Sequence, residues 1–167
     1  MITAAGIRTS LVVAVLGLTA CAPQHAYQGP PPAGPAPVSP GRETEMQIER
    51  AMDRYSSMLA TMDADGLSAM YTPDGVMERQ SGPPLRGREE IQAFLRAPAN
   101  VHVLSNQMVT NSLAYNGPMV VQAGEFHQSA RVNGKVVNAS GRFEATWVRG
   151  PRGAWYISHM VTRPARN

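Results

Sequence analysis

Apolar positions recur at spacings of four and three from Ile48 through Met52, Tyr55, Leu59 and Met62. That is one stripe of an amphipathic helix, with Glu45, Glu49, Asp53 and Arg54 off it. A second, shorter helix holding Leu67 and Met70 is expected behind Asp65, a residue type that caps helix starts. Pro73-Asp74-Gly75 reads as a turn, because proline presets φ and glycine accepts positive φ. Val76 to Gln80 then reads as a short strand. A third helix is expected from Gly87, burying Ile91, Phe94 and Leu95 and closed by Pro98.

From there the pattern changes to long alternating segments. Asn116-Gly117 and Asn133-Gly134 are hairpin signals, since both central residues of a type I′ turn need positive φ, and Gly150-Pro-Arg-Gly153 makes a third turn. Four antiparallel strands are expected: 101–115, 119–132, 135–149 and 154–163. Turn geometry sets their register. Val132 should face Lys135, which puts Glu125 opposite Arg142 and His127 opposite Ser140. Glu144 should face His159, Val148 should face Trp155, Met108 should face Glu125 and Asn106 should face His127. Opposed residues share a side of the sheet. One side then gathers His102, Asn106, Met108, Glu125, His127, Arg142, Glu144, Trp155, Ile157 and His159. The other gathers Phe126, Phe143, Trp147, Tyr156 and Met160, apolar enough for a core or a dimer surface. Parity alone leaves open which side is concave, and any β-bulge would flip the assignment beyond it.

The chain's beginning changes the picture. Arg8 precedes an apolar run, Leu11 to Leu18, too short for the roughly 20 residues that span a bilayer. This is the layout of a secretory signal over residues 1–20. Leu18-Thr19-Ala20-Cys21 resembles the bacterial lipobox, and Cys21 is the only cysteine in the chain. The resemblance implies cleavage before Cys21, acylation there and anchorage in a lipid bilayer by two or three chains, since one chain binds only marginally. Ala22, where an aspartate would signal inner-membrane retention, implies the periplasmic face of the outer membrane in a two-membrane cell. Residues 21–42 carry seven of the chain's 14 prolines, a semi-rigid tether reaching up to roughly 60 Å. Without residues 1–20 the chain has 14 cations against 12 anions. Such a balance leaves no nucleic-acid footprint. Glycine-rich phosphate loops, nucleophile elbows and zinc patterns are absent from the sequence, so neither cofactor nor metal is expected.

The remaining residues, 43–167, carry a family resemblance. Asp65-Gly-Leu-Ser-Ala-Met-Tyr-Thr-Pro-Asp-Gly-Val76, Leu85-Arg-Gly-Arg-Glu-Glu-Ile91, His102-Val-Leu-Ser-Asn106, Gly141-Arg-Phe-Glu-Ala-Thr-Trp147 and Trp155-Tyr-Ile-Ser-His159 stand in an order similar to the nuclear transport factor 2-like superfamily. The closest likeness is to its SnoaL-like branch of polyketide cyclases and ketosteroid isomerase relatives. The resemblance implies an α+β fold, a cone-shaped barrel of strongly curved, mainly antiparallel sheet wrapped around three N-terminal helices. It also favours the first side as the concave one. Tyr55, His102, Asn106, Glu125, His127, Arg142 and Trp155 are then candidates for ligand binding, and Glu144 with His159 for a general acid–base pair. Three functions are open: a non-catalytic pocket for a small hydrophobic or amphipathic molecule, a cofactor-independent isomerase, dehydratase or cyclase, or a dimeric interaction module. A homodimer is expected if Phe126, Phe143 and Trp147 cover an exposed face. The family's enzymes deploy an aspartate, and the long strands here offer none.

Overall fold

The computed structural model describes residues 40–96 and 100–165, which fall in one compact unit, Pro37–Asn167. The signal segment, Cys21, most of the tether and Pro98 lie outside the described residues. Helix α1 (Pro40–Ala60) buries Ile48, Ala51, Met52 and Tyr55, the stripe its periodicity announces. Helix α2 (Ala64–Ala69) is capped by Asp63, whose carboxylate accepts from the Gly66 amide at 2.9 Å. Asp65, the expected cap, is exposed and accepts from Gln92 and Arg96 of helix α3 (Gly87–Arg96) instead. Strand β1 (Tyr71–Glu78) runs through Pro73-Asp74-Gly75, so the expected turn there is an irregularity in pairing and not a reversal. Strand β2 (Leu85–Arg86) comes next. Ile91 and Leu95 of α3 are buried as expected, whereas Phe94 is 39% exposed.

Strands β3 (Val101–Asn116), β4 (Met119–Val132), β5 (Lys135–Arg149) and β6 (Trp155–Pro164) make the long meander. The sheet order is β2-β1-β6-β5-β4-β3, antiparallel except where β1 runs parallel to β6. It is curved but open, so the fold is the expected α+β arrangement without closure into a barrel. With only two residues in β2, one edge is too short to meet β3, and α1 packs on β3 while α3 packs on β1.

The β4–β5 register is the expected one throughout, from Val132↔Lys135 to Glu125↔Arg142 and His127↔Ser140. Asn133 and Gly134 take φ of 50° and 79°, the pair of positive values a type I′ turn requires. Elsewhere bulges intervene. The first hairpin closes Asn116 on Met119, a shift at Asn111 brings Met108 opposite Phe126 and Asn106 opposite Gln128, and a second shift at Leu104 sets His102 opposite Arg131. The last hairpin closes Arg149 on Trp155, and Ser158 is an extra residue. Glu144 therefore faces Val161, Thr146 faces His159, and Val148 faces Tyr156.

The consequence is an exchange of sides. The helix-covered side carries Phe126, Phe143, Trp147 and Met160, all buried. They are joined by Met108, which the bulge at Asn111 turns inward, and by Trp155 and Ile157, which the closure of Arg149 on Trp155 turns inward. Glu125, His127, Arg142 and Glu144 are turned to the opposite side, where all four are exposed. Burial of an aromatic cluster outweighs any cross-strand polar pairing, and this decides the orientation. The expectation of a homodimer, which rested on exposure of Phe126, Phe143 and Trp147, loses that ground. One polar chain crosses the core: Trp147 Nε1 donates to Gln122 Oε1 at 2.8 Å, and Gln122 Nε2 donates to Thr110 Oγ1 at 2.8 Å.

Candidate functional site

Between α1, α3 and the curved sheet lies a cavity of about 570 Å³, within the range that holds small organic molecules. Its walls are Leu59 of α1, Phe94 and Leu95 of α3, Met77 of β1, Val101, Val103 and Met108 of β3, Phe126 of β4 and Met160 of β6. Met62 adds a fourth methionine. Unbranched thioether side chains re-pack around varied shapes, so these walls can adapt to an occupant.

A few polar groups punctuate this lining. Tyr55 reaches it from α1 and shares a hydrogen bond with Tyr71, hydroxyl to hydroxyl at 3.3 Å. Burial pushes the phenol of Tyr55 up, and pushes that of Tyr71 up strongly, with the neighbouring Tyr55 adding to the effect. Both are therefore neutral hydrogen-bonding groups and not bases. Asn106 is held to α1: its Nδ2 donates to Ser56 Oγ at 2.8 Å, and Ser56 Oγ donates back to its carbonyl at 3.0 Å. Arg79, Gln80, Gln128 and Thr162 stand around the same cavity. Asn106, Gln128 and Ala139 also line an adjoining depression that carries Ser105, Asn138, Ser140 and His127, so the mouth is ringed by amides and hydroxyls with one imidazole.

The tyrosine pair makes a measurable prediction. Ordinary phenols ionise near pH ~10. With their folded-state pKa raised, Tyr55 and Tyr71 contribute stability that is whole below that value and is lost as pH rises through the folded pKa. Phenolate absorbance in a pH titration should show some of the five tyrosines ionising late, together with unfolding. Tyr71→Phe should remove the latest part of that signal.

Of the residues the sequence pointed to, the structure brings only Tyr55 and Asn106 into the cavity. His127 is exposed at the adjoining depression, and His102 is exposed at the start of β3. Glu125 and Arg142 stand opposite each other on the outward side, and Arg142 and Glu144 line a separate groove there. Trp155 lies under the first half of α1, its Nε1 donating to Gln47 Oε1 at 3.0 Å and the Arg149 guanidinium 4.6 Å from its ring. The Glu144–His159 pair does not form, because the hairpin closes Arg149 on Trp155 and Ser158 adds a further residue, which together leave His159 opposite Thr146, two positions further along β5. His159 Nε2 meets Glu78 Oε1 instead, at 3.0 Å, with both side chains about two-fifths exposed. Sequence reasoning missed Arg79, Met77, Gln128 and Met160. For Met77 and Met160 the signal was their alternation with Glu78 and His159; for Arg79 there was none.

The sequence profile of the SnoaL-like domain family matches residues 42–161. Comparison with curated proteins returns no match. Among solved structures, the chain is similar to a ketosteroid isomerase-like protein from Erwinia carotovora atroseptica, at 17% identity and a TM-score of 0.66, over 73% of this chain and 96% of that one. It is similar to a conserved protein from Planctomyces limnophilus at 20% identity and a TM-score of 0.66, over 74% and 98% of the two chains. ActVI-ORFA from Streptomyces coelicolor matches at 16% identity and a TM-score of 0.62, over 73% and 97%. Likeness at such identities speaks to the fold alone. The profile match extends from α1 to β6, and the chain belongs to the SnoaL-like domain family.

Proposed function

We propose that this chain is a lipid-anchored envelope protein whose domain holds a small hydrophobic or amphipathic molecule in the cavity and does not transform it. The observation that carries this reading is the chemistry of the walls. Among the described residues lining the cavity there is no carboxylate and no imidazole, and the ionisable groups are Arg79 and a tyrosine with a raised pKa. Proton transfer needs a base within about 2.6–3.2 Å of the proton it takes, with a pKa near the working pH. Glu78 and His159, the Glu/His contact that does form, are not among the lining residues. What remains is apolar area with a polar mouth, which suits binding.

The test is a titration of the full chain carrying Cys21→Ala, which keeps acyl lipid out of the sample, with the neutral apolar dye N-phenyl-1-naphthylamine. Saturable fluorescence enhancement with one site per chain is expected. A linear, unsaturable response would end the reading.

Anchorage at the periplasmic face of the outer membrane belongs to the same proposal and rests on Leu18-Thr19-Ala20-Cys21. Mass spectrometry of the mature protein should find acyl chains on an N-terminal Cys21. Cys21→Ala should leave an uncleaved or soluble form without them. An unacylated wild-type protein would remove the tether.

A further inference from the structure

Arg79 is the only cation among the described residues that line the cavity, and nothing among those residues neutralises it. The ion pairs Arg96–Asp65 and His159–Glu78 do not involve it. Its guanidinium is nonetheless fixed in place. It lies over the Phe94 ring, 4.2 Å from the centroid, and its Nη2 donates to the Pro83 carbonyl at 3.1 Å. Gly82 closes the other side: its φ is +84°, and a Cβ there would come within 3.2 Å of Nη2. The Nε is buried and has no acceptor. A partly desolvated guanidinium held by a ring, a carbonyl and a glycine, facing apolar walls, is a preorganised anion receptor, because its fork of donors matches a carboxylate.

We propose that Arg79 selects an amphipathic carboxylate, holding its head group while the aliphatic or aromatic body fills the cavity. This rests on the reading of the cavity as a binding site and names the class of its occupant. A single cation among otherwise neutral lining groups, Gln80, Ser81, Asn106, Gln128 and Thr162, balances one negative charge. A phosphate monoester would bring a second charge into apolar surroundings without compensation, at a cost in desolvation. The outward groove with Arg142 and Arg163 also contains Glu144, and its arginines stand on the other side of the sheet.

The experiment measures displacement of N-phenyl-1-naphthylamine from the full-length Cys21→Ala chain by decanoate and by decanol at neutral pH, where the carboxylate is ionised. The two competitors share a body and differ in the head. Decanoate should bind about tenfold or more tightly than decanol, as a charge-assisted pair implies. Arg79→Gln should abolish that preference, with decanol still displacing the saturably bound dye, which also shows that the variant is folded. Arg79→Lys should retain part of the preference, and Arg152→Gln, at an exposed turn, all of it. Equal affinities in the wild type, or a preference that survives Arg79→Gln, would overturn the assignment of Arg79 while the dye result leaves the cavity reading standing. Failure of the dye to bind at all would remove both.

Discussion

Trp147→Ala should lower the stability of the fold by about 3–5 kcal/mol, the range for truncating a large buried aromatic side chain. Trp147 has no solvent exposure and packs in the cluster formed by Phe143, Ala145, Ile157 and Met160. The substitution removes more than volume. It leaves Gln122 Oε1, equally inaccessible to solvent, without the donor it now accepts from, and the cost of an unpaired buried polar group adds to the cavity term. Domains of this size are stable by about 5–15 kcal/mol, so the variant should sit near the edge of folding. Denaturant unfolding followed by far-ultraviolet circular dichroism gives the number. Trp147→Phe should lose less, because most of the apolar area stays, though the indole donor does not. The measurement also decides the orientation of the sheet. On an exposed face, Trp147→Ala would change stability by no more than about 0.5 kcal/mol. Glu144→Ala, across the sheet and exposed, should give a value in that smaller range.

The elements of this fold were legible because their signals are local. Helical spacing placed α1, and Asn133-Gly134 set the β4–β5 register through its positive φ values, correct at every pair from Val132 to Glu125. The site was far less legible. It depends on which side of the sheet the helices cover, which burial of the aromatic cluster decides, and on three bulges that set which residues of β3 and β6 share that side. Asn111, Leu104 and Ser158 each add one residue to one strand of a pair and invert the parity of the residues beyond. Nothing local distinguishes them: two are polar residues ordinary in an edge or a turn, and the third is a leucine. A strand curving around helices needs such bulges, but their positions depend on packing against α1 and α3. Weighing total apolar area per side would have favoured the Phe126, Phe143 and Trp147 side as the inner one without any knowledge of the bulges. The His and Glu residues drew attention by their chemistry. Their clustering on one side has a plainer cause, since alternating strands must put their charges on whichever side faces water.

Ala139→Trp should weaken binding of a neutral apolar probe by at least tenfold, about 1.4 kcal/mol, while leaving stability within about 0.5 kcal/mol of wild type. Ala139 stands opposite Gln128 on β5 and lines both the cavity and its outer depression, so it sits at the mouth. It is solvent-exposed and outside the buried core cluster, so enlarging it deletes no core contact and an indole there occupies space a ligand must cross. Overpacking penalties of about 1–3 kcal/mol apply to filled interiors, not to a cavity with an open mouth. The same dye titration run on Arg142→Ala, Glu144→Gln and His159→Ala should show no loss, since those side chains do not line the cavity. The contrast separates two accounts of this protein. If the outward groove of Arg142 and Glu144 were the binding surface, its variants would lose affinity and Ala139→Trp would not. If the cavity is the site, the order reverses, and the residues that matter are those on the helix-covered side of the sheet.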